Sequence, residues 1–215
     1  MGWAWQDPAV RAVARLIPGD VLWYVRTPEP VFALTFDDGP HPATTPGLLP
    51  VLARHGARAT FFLIGSRVAA HPELVAAIAA AGHEIGNHLM RDEPSVRLSD
   101  ARFRSDLAET NALLAPYGEV RWFRPGSGWF TPRMLRAAGE MGLRAVLGTV
   151  AAAHRGEPSD AQIASRIGAT VRPGSIVVLH EGTEPRRGVV ETVDQLLSAL
   201  AGRGLAAVTV SDLAR

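Results

Sequence analysis

The sequence predicts an α/β fold built on parallel strands, and three observations carry that expectation. Seven short β-prone runs are separated by helical segments, a pattern that implies parallel crossovers in a sheet or barrel. The first run, Val31-Phe32-Ala33-Leu34, is continuously apolar, as expected of a strand buried on both faces. No internal repeat, low-complexity tract or long linker divides the 215 residues, which is ample length for one core.

Taken in order, residues 1–30 read as an N-terminal capping segment, with a short amphipathic stretch from Pro8 to Leu16 closed by Pro18-Gly19. The remainder, 31–215, reads as a single catalytic domain. Val31–Phe36 is the first strand, and Pro46–Arg54 a helix stopped at Gly56. Ala59–Ile64 is a strand, followed by helix Pro72–Ala81, whose alanine-rich run ends at Gly82. Glu84–Gly86 is a short strand leading into a loop through Pro94. Ser99 and Asp100 are suited to cap a helix running to Leu114. Trp122-Phe123, helix Pro132–Met141 and strand Ala145–Leu147 come next. Ser159–Thr170 is a helix ended before Pro173-Gly174, and Ser175–Leu179 is strongly strand-like. Glu191–Ala201 is a helix stopped by Gly202, and Ala206–Val210 is the last strand.

Composition narrows the function. A formal charge of +1 and the lack of any long basic run argue against nucleic acid as a partner. With no cysteine, any metal must take nitrogen or oxygen ligands. No run of 18 apolar residues suggests a transmembrane segment. As written the chain reads as cytoplasmic, or as an envelope or secreted protein if a leader was trimmed from it.

Costly polar residues fall at strand ends. Asp37 and Asp38 follow the first strand, Asn87 and His88 the third, Arg124 the fourth and His180 the sixth. In a parallel α/β barrel those ends share one face, where catalysis is built. Each residue alone has an ordinary explanation: Asp-Asp-Gly-Pro as a turn, Arg124 as a partner of Asp37, His180 as a core histidine. Together they are chemically complementary. Asp38, His88 and Asp92 make a plausible ligand set for a divalent ion, with His88 and Asp92 four residues apart. Zinc is the first expectation, with manganese, cobalt or iron as alternatives. Arg124 opens the loop Pro125-Gly126-Ser127-Gly128, whose glycines let backbone N–H groups approach a ligand; Gly126, Ser127 and Trp129 are the substrate-contacting candidates. Arg186 and Arg187, just beyond His180, are candidates for an anionic group on the substrate.

These residues resemble the polysaccharide deacetylase family, carbohydrate esterases that deacetylate chitin and peptidoglycan. Thr35-Phe36-Asp37-Asp38-Gly39-Pro40 looks like its first motif, Gly86-Asn87-His88 its second, Phe123-Arg124-Pro125 its third and Val178-Leu179-His180 its last. The resemblance runs from about residue 20 to the C-terminus. It implies a distorted (β/α) barrel of about seven strands and a hydrolase removing N-acetyl groups from an amino sugar, oligosaccharide or polysaccharide. By the same resemblance Asp37 would be the general base, Arg124 its orienting partner and His180 the general acid. Asp38 and His88 would be metal ligands. Three departures stand out. Asp92 occupies the place of a family histidine, Gly126-Ser127 replaces proline and tyrosine, and Ala151-Ala152-Ala153-His154 lacks the aspartate of the fourth motif. The last departure leaves Arg124 and His180 without an expected carboxylate. Two other readings stay open: a non-catalytic carbohydrate-binding relative, and a hydrolase of a small formamide or cyclic amide.

Overall fold

The structure, a computed structural model, describes residues 21–151, 159–182 and 188–215. Its strands are β1 (Val21–Leu22), β2 (Val31–Gly39), β3 (Ala59–Leu63), β4 (Glu84–Asn87), β5 (Trp122–Phe123), β6 (Arg144–Val146), β7 (Val150–Ala151), β8 (Ile176–His180) and β9 (Ala206–Val208). Every pairing among them is parallel. The order across the sheet is β1-β6-β5-β4-β3-β2-β8-β7, with β9 beside the first three residues of β2. Among the described residues β1 and β7, at the two ends of this path, do not pair with each other, so the expected distorted barrel is an open one.

The seven expected strands are all present. The two additional ones, β1 and β7, are two residues long, too short to show any periodicity in sequence. The first strand also runs three residues further than Phe36. Ladder bonds from β3 on one side and β8 on the other carry it through Asp37 to Gly39.

The helices are α1 (Thr45–Arg54), α2 (Gly65–Ala70), α3 (Pro72–Ala80), α4 (Asp100–Leu114), α5 (Pro132–Glu140), α6 (Asp160–Thr170), α7 (Val189–Ala201) and α8 (Val210–Leu213). Capping explains several starts. Ser99 and Thr131 accept from the backbone N–H groups of Arg102 and Met134, and Ser159 with Gln162 forms a capping box. Helix α7 shows why such segments pack on the sheet. Val189, Val193, Leu196, Leu197 and Leu200 recur at helical spacing and are all buried. Each contributes roughly 1.5–3 kcal/mol by leaving water.

In the core on the face of the sheet opposite Thr35 and Asp37, Phe32, Leu34 and Phe36 of β2 pack with Phe61 and Leu63 of β3 and Val177 and Leu179 of β8. The described part of the N-terminal segment joins the sheet through β1, and Val25 N–H donates to the Gly174 carbonyl. Residues 1–20, including the Pro8–Leu16 stretch, lie outside the described residues. No helix among the described residues is long and apolar enough to cross a membrane.

Candidate active site

Regular alternation along β2 would send Asp37 and Asp38 to opposite faces of the sheet. A bulge between Asp37 and Gly39 breaks that alternation, with Asp38 in the left-handed region at φ 68°. Both carboxylates thereby line one cavity of about 340 Å³, along with His88, Asp92, Arg124, Gly126, Ser127 and His180. Parallel registration supplies the rest of the arrangement: Asp37 pairs with His180 across β2 and β8, and Asn87 with Phe123 across β4 and β5.

Asp37 and Arg124 form a buried ion pair, with Arg124 Nη1 2.6 Å from Asp37 Oδ1. The same nitrogen donates to Thr35 Oγ1 at 2.7 Å, and Nε donates to the Val146 carbonyl at 3.2 Å. The guanidinium also lies 4.1 Å from the ring centroid of Phe62. Burial lowers the Arg124 pKa, and the charge and hydrogen bond of Asp37 oppose that shift. Among the described residues its Nη2 is buried with no hydrogen-bond partner. That motif region, Ala152 to His154, lies outside the described residues, as do Arg186 and Arg187.

His180 is partly exposed, and its Nε2 lies 3.9 Å from Asp37 Oδ2. That separation is too long for a hydrogen bond, so the two groups share the cavity without being tied together.

His88 is held on both sides. Its Nδ1 lies 2.8 Å from the Arg124 carbonyl oxygen, which can only accept, so Nδ1 carries the proton. In the neutral ring Nε2 is then an acceptor, and it faces Asp38 Oδ1 at 3.2 Å. Two buried acceptors face one another at that distance, which calls for a proton or a cation between them. Asn87 holds the turn in place by donating to the Leu107 carbonyl and Asn111 and accepting from Leu89 N–H.

Asp92 lies on the wall of the same cavity, exposed, with Oδ2 3.7 Å from Arg67 Nη2. Among the described residues no three His, Asp or Glu side chains converge as a closed metal-binding group. Asp38 and His88 could hold a divalent ion as an open, two-donor site, with Asp92 a further candidate on the cavity wall.

The loop after Arg124 approaches the neighbouring loop closely. Gly126 N–H donates to Ser95 Oγ at 2.7 Å, and a Cβ on Gly126 would overlap the Glu93 carbonyl oxygen. Ser127 adopts φ 63°, and Gly128 donates back to the Pro125 carbonyl. Trp129 lies beyond the cavity lining and is 71% exposed.

Several site residues were not assigned from sequence. Trp23 lines the cavity although it lies in the capping segment, and Arg67 reaches the site from α2. Neither gave a local signal, since surface arginines and buried tryptophans are common. Glu181 is a further one. It is fully buried, accepts from Thr44 Oγ1 at 2.9 Å and Thr45 Oγ1 at 2.7 Å, and its N–H donates to the Asp37 carbonyl. Burial pushes its carboxyl up to about 7, against the threonine hydrogen bonds. Its position directly after His180 was the available clue.

Residues 24–146 match the family described as polysaccharide deacetylase. A peptidoglycan-N-acetylglucosamine deacetylase of Bacillus cereus is 35% identical over 200 residues, covering 92% of this chain and 94% of the relative. A chitooligosaccharide deacetylase of a Bradyrhizobium species is 35% identical over 185 residues, covering 80% of this chain and 84% of the relative. Among solved structures, a family 4 acetyl xylan esterase from Clostridium thermocellum in complex with a cobalt ion superposes with a TM-score of 0.78. It is 30% identical, and the match covers 85% of this chain and 89% of that one.

Proposed function

Because the chain belongs to the polysaccharide deacetylase family, we propose that it is a metal-dependent hydrolase releasing acetate from N-acetylglucosamine units of an oligosaccharide or polysaccharide. The observation that carries this reading is the facing pair of Asp38 Oδ1 and His88 Nε2 beside the Asp37–Arg124 pair in one cavity. Asp38 and His88 would hold the ion, with Asp92 on the cavity wall able to join as a third donor only by moving toward them. Zinc is the first candidate, and manganese, cobalt or iron suit the same mixed donors. When bound, a divalent ion polarises an acyl carbonyl and acidifies water.

The chain's own residues do the remaining work. Arg124 holds Asp37 so that one carboxylate oxygen is engaged and the other is left to take a proton from the attacking water. His180, across the pair from β8, gives a proton to the departing amine, without which the C–N bond breaks poorly. Gly126 and Gly128 spend their N–H groups on Ser95 and Pro125, so Ser127 is the loop residue assigned to donate to the developing oxyanion. Trp129 offers an exposed aromatic face to a neighbouring sugar ring.

The purified protein, supplied with zinc or manganese, should release acetate and free amine in equal amounts from an N-acetylated chitooligosaccharide. Release of neither product from oligosaccharide or peptidoglycan would overturn the assignment.

A further inference from the structure

We propose that Arg67 is a positioning residue of the cation site, joining the three loops that carry Asp38, Asp92 and His180. This rests on the metal-dependent reading above and adds a residue to it. Arg67 is the third residue of α2, directly behind β3, and its side chain is 23% exposed. Its Nη1 donates to the main-chain carbonyl of Asp38. Its Nη2 is the group 3.7 Å from Asp92 Oδ2. The third contact is with Gly182, two residues after His180. At φ +98°, a Cβ on Gly182 would overlap Arg67 Nη1 and lie 3.2 Å from the Asp38 carbonyl oxygen.

Asp38 holds a left-handed backbone conformation that is strained for a non-glycine residue and persists where its surroundings impose it. The hydrogen bond from Arg67 to its carbonyl is one such constraint, on the residue that faces His88. The fork of the guanidinium keeps the same side chain within ion-pair range of the Asp92 carboxylate while it donates to that carbonyl. Loss of an outer partner typically weakens metal binding about 10–100-fold. A bystander guanidinium would act in the opposite direction. It repels a nearby cation, so deleting it would tighten binding. The sign of the effect therefore separates the two roles.

The test is calorimetric zinc titration of chelator-stripped wild type, Arg67→Met and Arg67→Lys, with thermal unfolding of each metal-free protein as a check on folding. Arg67→Met should bind about 10–100-fold more weakly. Arg67→Lys should fall between, because an ammonium lacks the fork that reaches carbonyl and carboxylate together. Unchanged or tighter binding by Arg67→Met would overturn the proposal. Should Arg67→Met not fold, Arg67→Lys decides on the same criterion. Zinc binding by wild type together with undiminished binding by the variants would sink the role of Arg67 alone, whereas no binding by wild type would sink the metal reading as well.

Discussion

Removing the charge of Asp37 or the imidazole of His180 should each cost about 10²–10⁴ in kcat, with substrate binding much less affected. His180→Ala is the cleaner of the two, because His180 is partly exposed and its loss leaves the buried Asp37–Arg124 pair in place. Asp37→Asn keeps an acceptor for Arg124 but removes the basic carboxylate, leaving the guanidinium buried without its counter-charge. Its turnover should therefore be measured at a temperature where unfolding shows the variant to be native. Full turnover in both variants would contradict the assignment of base and acid.

The second large effect is on stability. Arg124→Met leaves Asp37 buried opposite an apolar side chain, and breaking such a pair from one side costs about 3–5 kcal/mol. The loss should appear as a lower denaturant midpoint with an unchanged slope. Asp37→Asn combined with Arg124→Met should recover part of it, because the double variant buries no unpaired charge. A loss below about 1 kcal/mol in Arg124→Met would place the pair among weak, solvent-screened ones, contrary to its burial.

Most of the site was legible because its residues fall at the ends of strands whose apolar patterns are clear. Val31–Leu34 and Val177–Leu179 read as buried strands, so the charged residues that follow them are conspicuous. How Asp37 and Asp38 come to one face was not legible. That outcome depends on a bulge with Asp38 at φ 68°, which is imposed by pairing to β3 and β8 and has no local sequence signal. Helix α2 was missed because its six residues form fewer than two helical turns and are followed, after His71, by Pro72 of α3. The role of Arg67 was hidden for the same reason. The four-residue spacing of His88 and Asp92 suggests one helical turn, but the segment is irregular, with Leu89 at φ 64°. Asp92 consequently reaches the cavity wall beside Arg67, not the immediate surroundings of Asp38 and His88. The fourth motif's departure was visible as three successive alanines, and that region lies outside the described residues.

Zinc titration of chelator-stripped protein across pH tests the proposed cation between His88 Nε2 and Asp38. Burial would lower the His88 pKa, but the charge of Asp37 and the hydrogen bond and charge of Asp38 outweigh it, and the ring is held above its ordinary 6.5. Proton and metal compete for the same nitrogen, so binding should release a proton and weaken as pH falls, with the decline beginning above 6.5. Binding of one zinc per chain with that pH dependence, lost in His88→Ala, is the predicted result. No zinc uptake at any pH, alongside undiminished acetate release in chelator, would contradict it.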